Sequence, residues 1–311
     1  MKKIFCLVIL TLCGRLLAQN QQQLIFGATT NLPGATLVFE TASNYITDSG
    51  FCFPTVSGSV QDPNLNFDPS VFPYSGYYYN CVQVFNALPA TADNGGPVNG
   101  AAALGTVIQM RLLSVAGPAG ASFAFWEGNS DGTFGTNLTW SVPVPSSGDT
   151  NLIAITQAAN TSTNDPYGLI QNRVFGFTKP GRYKLTWELV DTSTNGPGGK
   201  PMDTNSAPFA LYYQADCTIS GITSQSGVTQ LTFDAPYYGS YQPDNSQSSQ
   251  LIYEIQQTAQ LGTNTIWSTV LNPQNGYLKI KGDDYLHTNT VPTVGATRFY
   301  RLYYYDPNAG G

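Results

Sequence analysis

Histidine is nearly missing from this chain: His287 stands alone in 311 residues. A hydrolytic triad needs a base oriented by an acid and aimed at a nucleophile. Asp283 and Asp284 lie near His287, but no Gly-x-Ser-x-Gly or comparable nucleophile motif accompanies them, so His287 reads as a loop residue. Zinc and copper sites want several His or Cys ligands. With one histidine, 5 cysteines and 3 methionines, the chain offers no evident one. Charge is scarce as well, at 10% of residues against a usual value of about 25%. Glu40, Glu127, Glu188 and Glu254 are the only glutamates, and no spacing fixes two acids as the carboxylate pair of a glycosidase. These shortages point to a protein without a conventional catalytic centre.

Long apolar runs are also lacking, with one exception. Lys2 and Lys3 precede the apolar stretch Ile4 to Leu12, and small or neutral residues follow to Ala18. A basic start, a short hydrophobic core and an Ala-terminated site have the layout of a secretory signal peptide. The run is too short for a bilayer, which needs about 20 apolar residues. The expectation is therefore cleavage near Ala18, no integral membrane segment in the mature chain, and release or peripheral attachment at the cell surface. Removing residues 1–18 takes away Lys2, Lys3 and Arg15 and no acid, leaving 10 basic against 19 acidic side chains, a net of −9. That balance excludes nucleic acid as a partner, which needs a basic footprint.

Cys6 and Cys13 leave with the leader, and Cys52, Cys81 and Cys217 remain. In an oxidising compartment Cys52 and Cys81 are the natural pair, closing a loop of about 30 residues worth roughly 3 kcal/mol in the chain-entropy model. Other pairings stay open, as does the partner of Cys217.

What is abundant is β-forming sequence. Short apolar and aromatic runs recur between Gly, Pro, Asn and Asp clusters: Thr36 to Phe39, Tyr77 to Phe85, Thr106 to Leu113, Ser122 to Trp126, Arg182 to Val190 and Phe209 to Tyr213. Tyr183, Leu185, Trp187 and Leu189 alternate with Lys184, Thr186 and Glu188, the pattern of a half-buried strand. A composition break at Gln214-Ala215-Asp216 opens a second series: Cys217 to Ile219, Val228 to Phe233, Leu251 to Gln256, Thr265 to Ser268, Tyr277 to Ile280 and Arg298 to Leu302. The expected architecture is all-β: an antiparallel sandwich or jelly-roll-like domain over 19–215, then a smaller immunoglobulin/fibronectin-type sandwich over 216–306 and a tail at 307–311.

Asp165-Pro166-Tyr167-Gly168-Leu169-Ile170-Gln171-Asn172-Arg173, Phe177 to Tyr183 and Leu189 to Gly199 together resemble a β-domain of secreted verrucomicrobial proteins, many of which carry a C-terminal PEP-CTERM sorting signal. Leu88-Pro89-Ala90 and Gly117 to Glu127 are similar to earlier blocks of that type, so the resemblance spans most of residues 24–215. The segments around Tyr253 to Gln256, Trp267 and Arg298 to Leu302 resemble a small β-module that often ends such proteins. The resemblance implies an exported or surface protein. It also implies histidines at positions held here by Leu169, Gln171 and Asp203, and a sorting tail that this sequence does not show.

Two features remain as site candidates. Asp62, Asn64, Asn66 and Asp68 place oxygen-bearing side chains at every second residue, a spacing like that of a calcium loop, although the glycine and closing glutamate of an EF-hand are missing. Asn129 to Thr133, with Asp131-Gly132 at its centre, reads instead as a hairpin turn. Aromatics are plentiful at 13%, and the Tyr237, Tyr238 and Tyr241 loop between Pro236 and Pro243 is the candidate ligand contact, since loops at sandwich ends commonly carry binding. The expectation is an exported, non-enzymatic structural or interaction protein contacting a surface polymer, glycan or protein. The alternatives are a carbohydrate-binding accessory module and a polysaccharide-active enzyme using Glu127 or Glu188.

Overall fold

The computed structural model describes residues 22–40, 53–57, 76–80, 83–91, 99–130, 132–157, 161–215, 218–234, 252–263, 265–271, 286–292 and 298–305. The leader, Cys52, Cys81 and Cys217, the Asp62 to Asp68 loop, the Tyr237 to Tyr241 loop and the tail at 307–311 lie outside the described residues. The regular secondary structure among these residues is β-strand, apart from one 3-10 turn at Pro197–Gly199.

Two sheets make up the first strand series. The smaller has the order β11 (Gly168–Ile170), β5 (Gln83–Ala87), β1 (Gln22–Ala28) and β2 (Leu37–Phe39). The larger runs β10 (Leu152–Ala154), β6 (Ile108–Ala116), β13 (Gly181–Asp191), β14 (Phe209–Ala215), β3 (Phe53–Ser57), β4 (Tyr78–Asn80), β12 (Val174–Phe177), β7 (Ala121–Trp126) and β8 (Trp140–Val144). Its last member, β9 (Ser146–Ser147), pairs with β6 although β8, just before it in the chain, pairs with β7. The sheet therefore rolls over, bringing its far end back to β6. Most pairs are antiparallel, while β1 runs parallel to β5 and β14 parallel to β3.

β13 follows its sequence pattern closely. Tyr183, Leu185, Trp187 and Leu189 are buried, while Lys184 is exposed and Thr186 and Glu188 are half-buried. The buried rings meet partners from the opposite layer. Trp187 stacks on Phe175 of β12 at 6.0 Å and meets Phe123 of β7 edge-on at 6.4 Å. Tyr213 of β14 lies 5.7 Å from Phe175 and 5.3 Å from Phe177. In the sheet, β3 and β4 separate β14 from β12, so these contacts cross an interior and define a sandwich. Each such ring contributes about 1.5–3 kcal/mol by burial alone.

The second series forms two three-stranded sheets, β15 (Thr218–Gln225), β16 (Val228–Asp234) and β19 (Leu286–Pro292), and β18 (Ser268–Leu271), β17 (Ile252–Thr258) and β20 (Phe299–Tyr305). First, second and fifth strands in one sheet, third, fourth and sixth in the other, is an immunoglobulin/fibronectin-type arrangement. Leu231, Phe233, Val291, Ile255 and Leu271 form its core, with Ile219, Tyr300 and Leu302 packed against them. No strand pairing joins the two series among the described residues. His287 proves to be a strand residue, not a loop residue: its backbone sits in β19 opposite Phe233. Loop assignment failed there because Leu286–Pro292 is rich in Thr and Asn and carries little of the apolar alternation that marks a strand.

Candidate functional site

Three polar groupings among the described residues can be tested as sites. The first links two segments of the larger sheet. Arg173, leading into β12, places Nε 2.6 Å from Glu127 Oε1 and Nη2 3.0 Å from Oε2, with side-chain exposures of 2% and 42%. Its guanidinium also lies over Phe85 at 5.1 Å and Phe125 at 5.9 Å. Burial pulls the Arg173 pKa down, and the hydrogen bonds and charge of Glu127 oppose that. Asn172 turns the chain into this position at a φ of 64°, a left-handed conformation that asparagine tolerates. Its amide donates to the carbonyl of Gly132, in the turn closed by Asn129 and Thr133. Gly132 there has a φ of 81°, as the Asp-Gly turn requires.

Glu188 is half-buried. It pairs with its cross-strand neighbour Arg111 and accepts from Asn205 at 3.3 Å. Both carboxylates considered for glycosidase chemistry thus hold arginines in place.

The second grouping is buried. Asp191 accepts from the backbone N–H groups of Val107, Ser193 and Asp203 and from the Ser193 hydroxyl, at 2.8–3.0 Å. Asp203 accepts from Thr106 Oγ1 at 2.8 Å, whereas its Oδ1 is buried without a partner. Burial raises the Asp203 pKa, with nearby Asp191 adding to the rise. This network pins the segment after β13 to the segment before β6. Among the described residues no cluster of three or more His, Cys, Asp or Glu could hold a metal ion. The positions at which the resemblance implies histidines do not converge by any described contact: Leu169 and Gln171 are exposed, and Asp203 is buried. The resembling blocks do meet elsewhere. Asp165 accepts from the N–H groups of Ala90 and Thr91 at 2.9 and 2.8 Å, tying the Leu88-Pro89-Ala90 segment to the start of the 165–173 block.

The third grouping is open to solvent. Strand alternation turns Tyr300 and Leu302 of β20 into the core and leaves Phe299, Arg301 and Tyr303 on the outer face, as a period of two requires. Arg301 reaches across β17. Its Nε donates to Gln256 Oε1 at 2.8 Å, and its guanidinium lies 4.5 Å from the Trp267 ring and 5.3 Å from the Tyr303 ring. Gln256 in turn donates to Glu254 Oε2 at 3.0 Å, which also accepts from Thr269 at 2.8 Å. A carboxylate, an amide and a guanidinium are thereby fixed in one orientation across three strands, flanked by two aromatic rings. Reading by sequence missed this face because its members come from separate strands; the alternation of Phe299, Arg301 and Tyr303 was the available signal.

By class, then, the chain is an all-β protein of sandwich architecture. Compared with models of protein families, with curated proteins and with solved structures, it matches none of them.

Proposed function

We propose that this is an exported bacterial protein with a non-enzymatic structural or interaction role at or beyond the cell surface. The observation that carries the reading is the outward-facing set of half-buried Trp267 with exposed Arg301 and Tyr303, a contact surface on a small sandwich. Aromatic and arginine side chains on rigid strands are the residues that anchor recognition surfaces. Supporting it, Glu127 and Glu188 are committed to arginines, and the leader-like start at Met1 to Ala18 gives a route out of the cytoplasm. The resemblance to secreted verrucomicrobial β-domain proteins agrees with that destination. No helix among the described residues is long and apolar enough to cross a membrane, in keeping with release or peripheral attachment.

Expression of the full chain in a bacterial host, followed by fractionation and N-terminal sequencing, tests export. The expected product begins near Gln19 and is found outside the cytoplasm. Retention in the cytoplasm with Met1 to Ala18 intact would overturn it. Hydrolysis of a polysaccharide panel that disappears in Glu127→Gln or Glu188→Gln would overturn the non-enzymatic reading.

A further inference from the structure

Resting on the interaction reading above, we infer that the outer face of the β18-β17-β20 sheet binds a neutral polysaccharide. Its unused hydrogen-bonding capacity is of both kinds. Arg301 spends only Nε on Gln256, and Glu254 spends only Oε2 on Gln256 and Thr269, so both Nη groups and Oε1 have no hydrogen-bond partner among the described residues. A hydroxyl donates and accepts at once. Adjacent hydroxyls of a pyranose can therefore satisfy the free carboxylate oxygen and the guanidinium together.

The rings supply the other half of sugar recognition. Tyr303 is 41% exposed and Trp267 half-buried beside it, so each offers apolar area on which the C–H face of a pyranose can lie. Arg301 between them, and the Thr269, Glu254 and Gln256 chain beneath, hold the set rigid before a ligand arrives, which lowers the ordering cost of binding. Neutral glycans are favoured by charge. Glu254 and Arg301 offset each other within the face, while the chain as a whole carries a net of −6 and repels polyanions. A protein partner fits less well, because the anchoring centre of a protein interface is dry and desolvated, and the centre here is a carboxylate, an amide and a guanidinium.

The test is affinity electrophoresis of the purified full chain through gels containing xylan, a β-glucan or galactomannan, with pectate and alginate as anionic arms. Retardation in at least one neutral gel is expected. It should weaken at least tenfold in Trp267→Ala and in Arg301→Gln, and stay unchanged in Leu32→Ser, an exposed apolar residue of the first strand series. Glu254→Gln keeps the side-chain shape, so its loss of retardation reads the site even where Trp267→Ala lowers the unfolding midpoint. Retardation that all three variants leave unchanged overturns the site, and retardation by pectate or alginate alone overturns the neutral class. No retardation in any gel, with the chain still adhering to a protein-coated surface, sinks the glycan and leaves the interaction reading standing. Absence of both sinks the two together.

Discussion

Removing the Glu127 carboxylate should cost more than removing both members of its pair with Arg173. In Glu127→Ala, a guanidinium with only 2% side-chain exposure loses two hydrogen bonds and its counter-charge. Breaking a buried ion pair from one side costs about 3–5 kcal/mol. Because Glu127 itself is 42% exposed, water can partly replace its carboxylate, so the low end, about 3 kcal/mol, is expected. Adding Arg173→Met then removes the stranded charge along with Nη1, which has no partner even in the intact protein. The thioether keeps contact with Phe85 and Phe125, at the loss of cation–π attraction of about 2 kcal/mol for a desolvated guanidinium. The double variant should therefore be more stable than Glu127→Ala by about 1 kcal/mol. Urea unfolding followed by near-UV circular dichroism measures this, provided the slope with denaturant is unchanged. Additive losses, or a cost below about 1 kcal/mol for Glu127→Ala, would refute the account of the pair.

Three further outcomes follow from the larger sandwich. Asp203 has a folded pKa above its unfolded value, so burying its charge costs stability above the folded pKa, and that cost is relieved as pH falls through it. Asp203→Asn should raise the melting temperature at pH 7, with the gain shrinking in acid; a gain independent of pH would contradict the assignment. Gly168→Ala places a Cβ 1.9 Å from the carbonyl oxygen of Ile155, so β11 must shift, and a clear drop in melting temperature is expected where an exposed alanine substitution gives none. Trp187→Ala should cost about 3–5 kcal/mol in urea unfolding. Trp187→Phe should cost markedly less, since the ring stack on Phe175 survives and the unpartnered Nε1–H is removed.

Legibility tracked how unequal the two faces of a strand are. β13 was readable because one face is core and the other partly wet. β12 and β14 are buried along their whole length, so they carry no alternation, and only their apolar runs gave them away. The run Tyr77 to Phe85 looks like one strand, yet Tyr78–Asn80 joins the larger sheet and Gln83–Ala87 the smaller; propensity alone does not show where a chain changes sheets. The parallel pairing of β1 with β5 leaves no local turn signal. Side-chain partners were the least visible. Glu127 and Arg173 stand 46 positions apart, and Trp267 meets Arg301 only because both flank β17. The Tyr237 to Tyr241 loop stands out in the sequence because its aromatics are close neighbours there, whereas rings that share a face are usually adjacent only in the fold.

Oxidative footprinting with and without a saturating neutral polysaccharide tests the central claim most directly. Peptides containing Trp267 and Tyr303 should lose reactivity on binding, while the buried Trp187 peptide stays as it was. Binding that leaves Trp267 and Tyr303 as reactive as in the free protein would contradict the assignment of the β18-β17-β20 face.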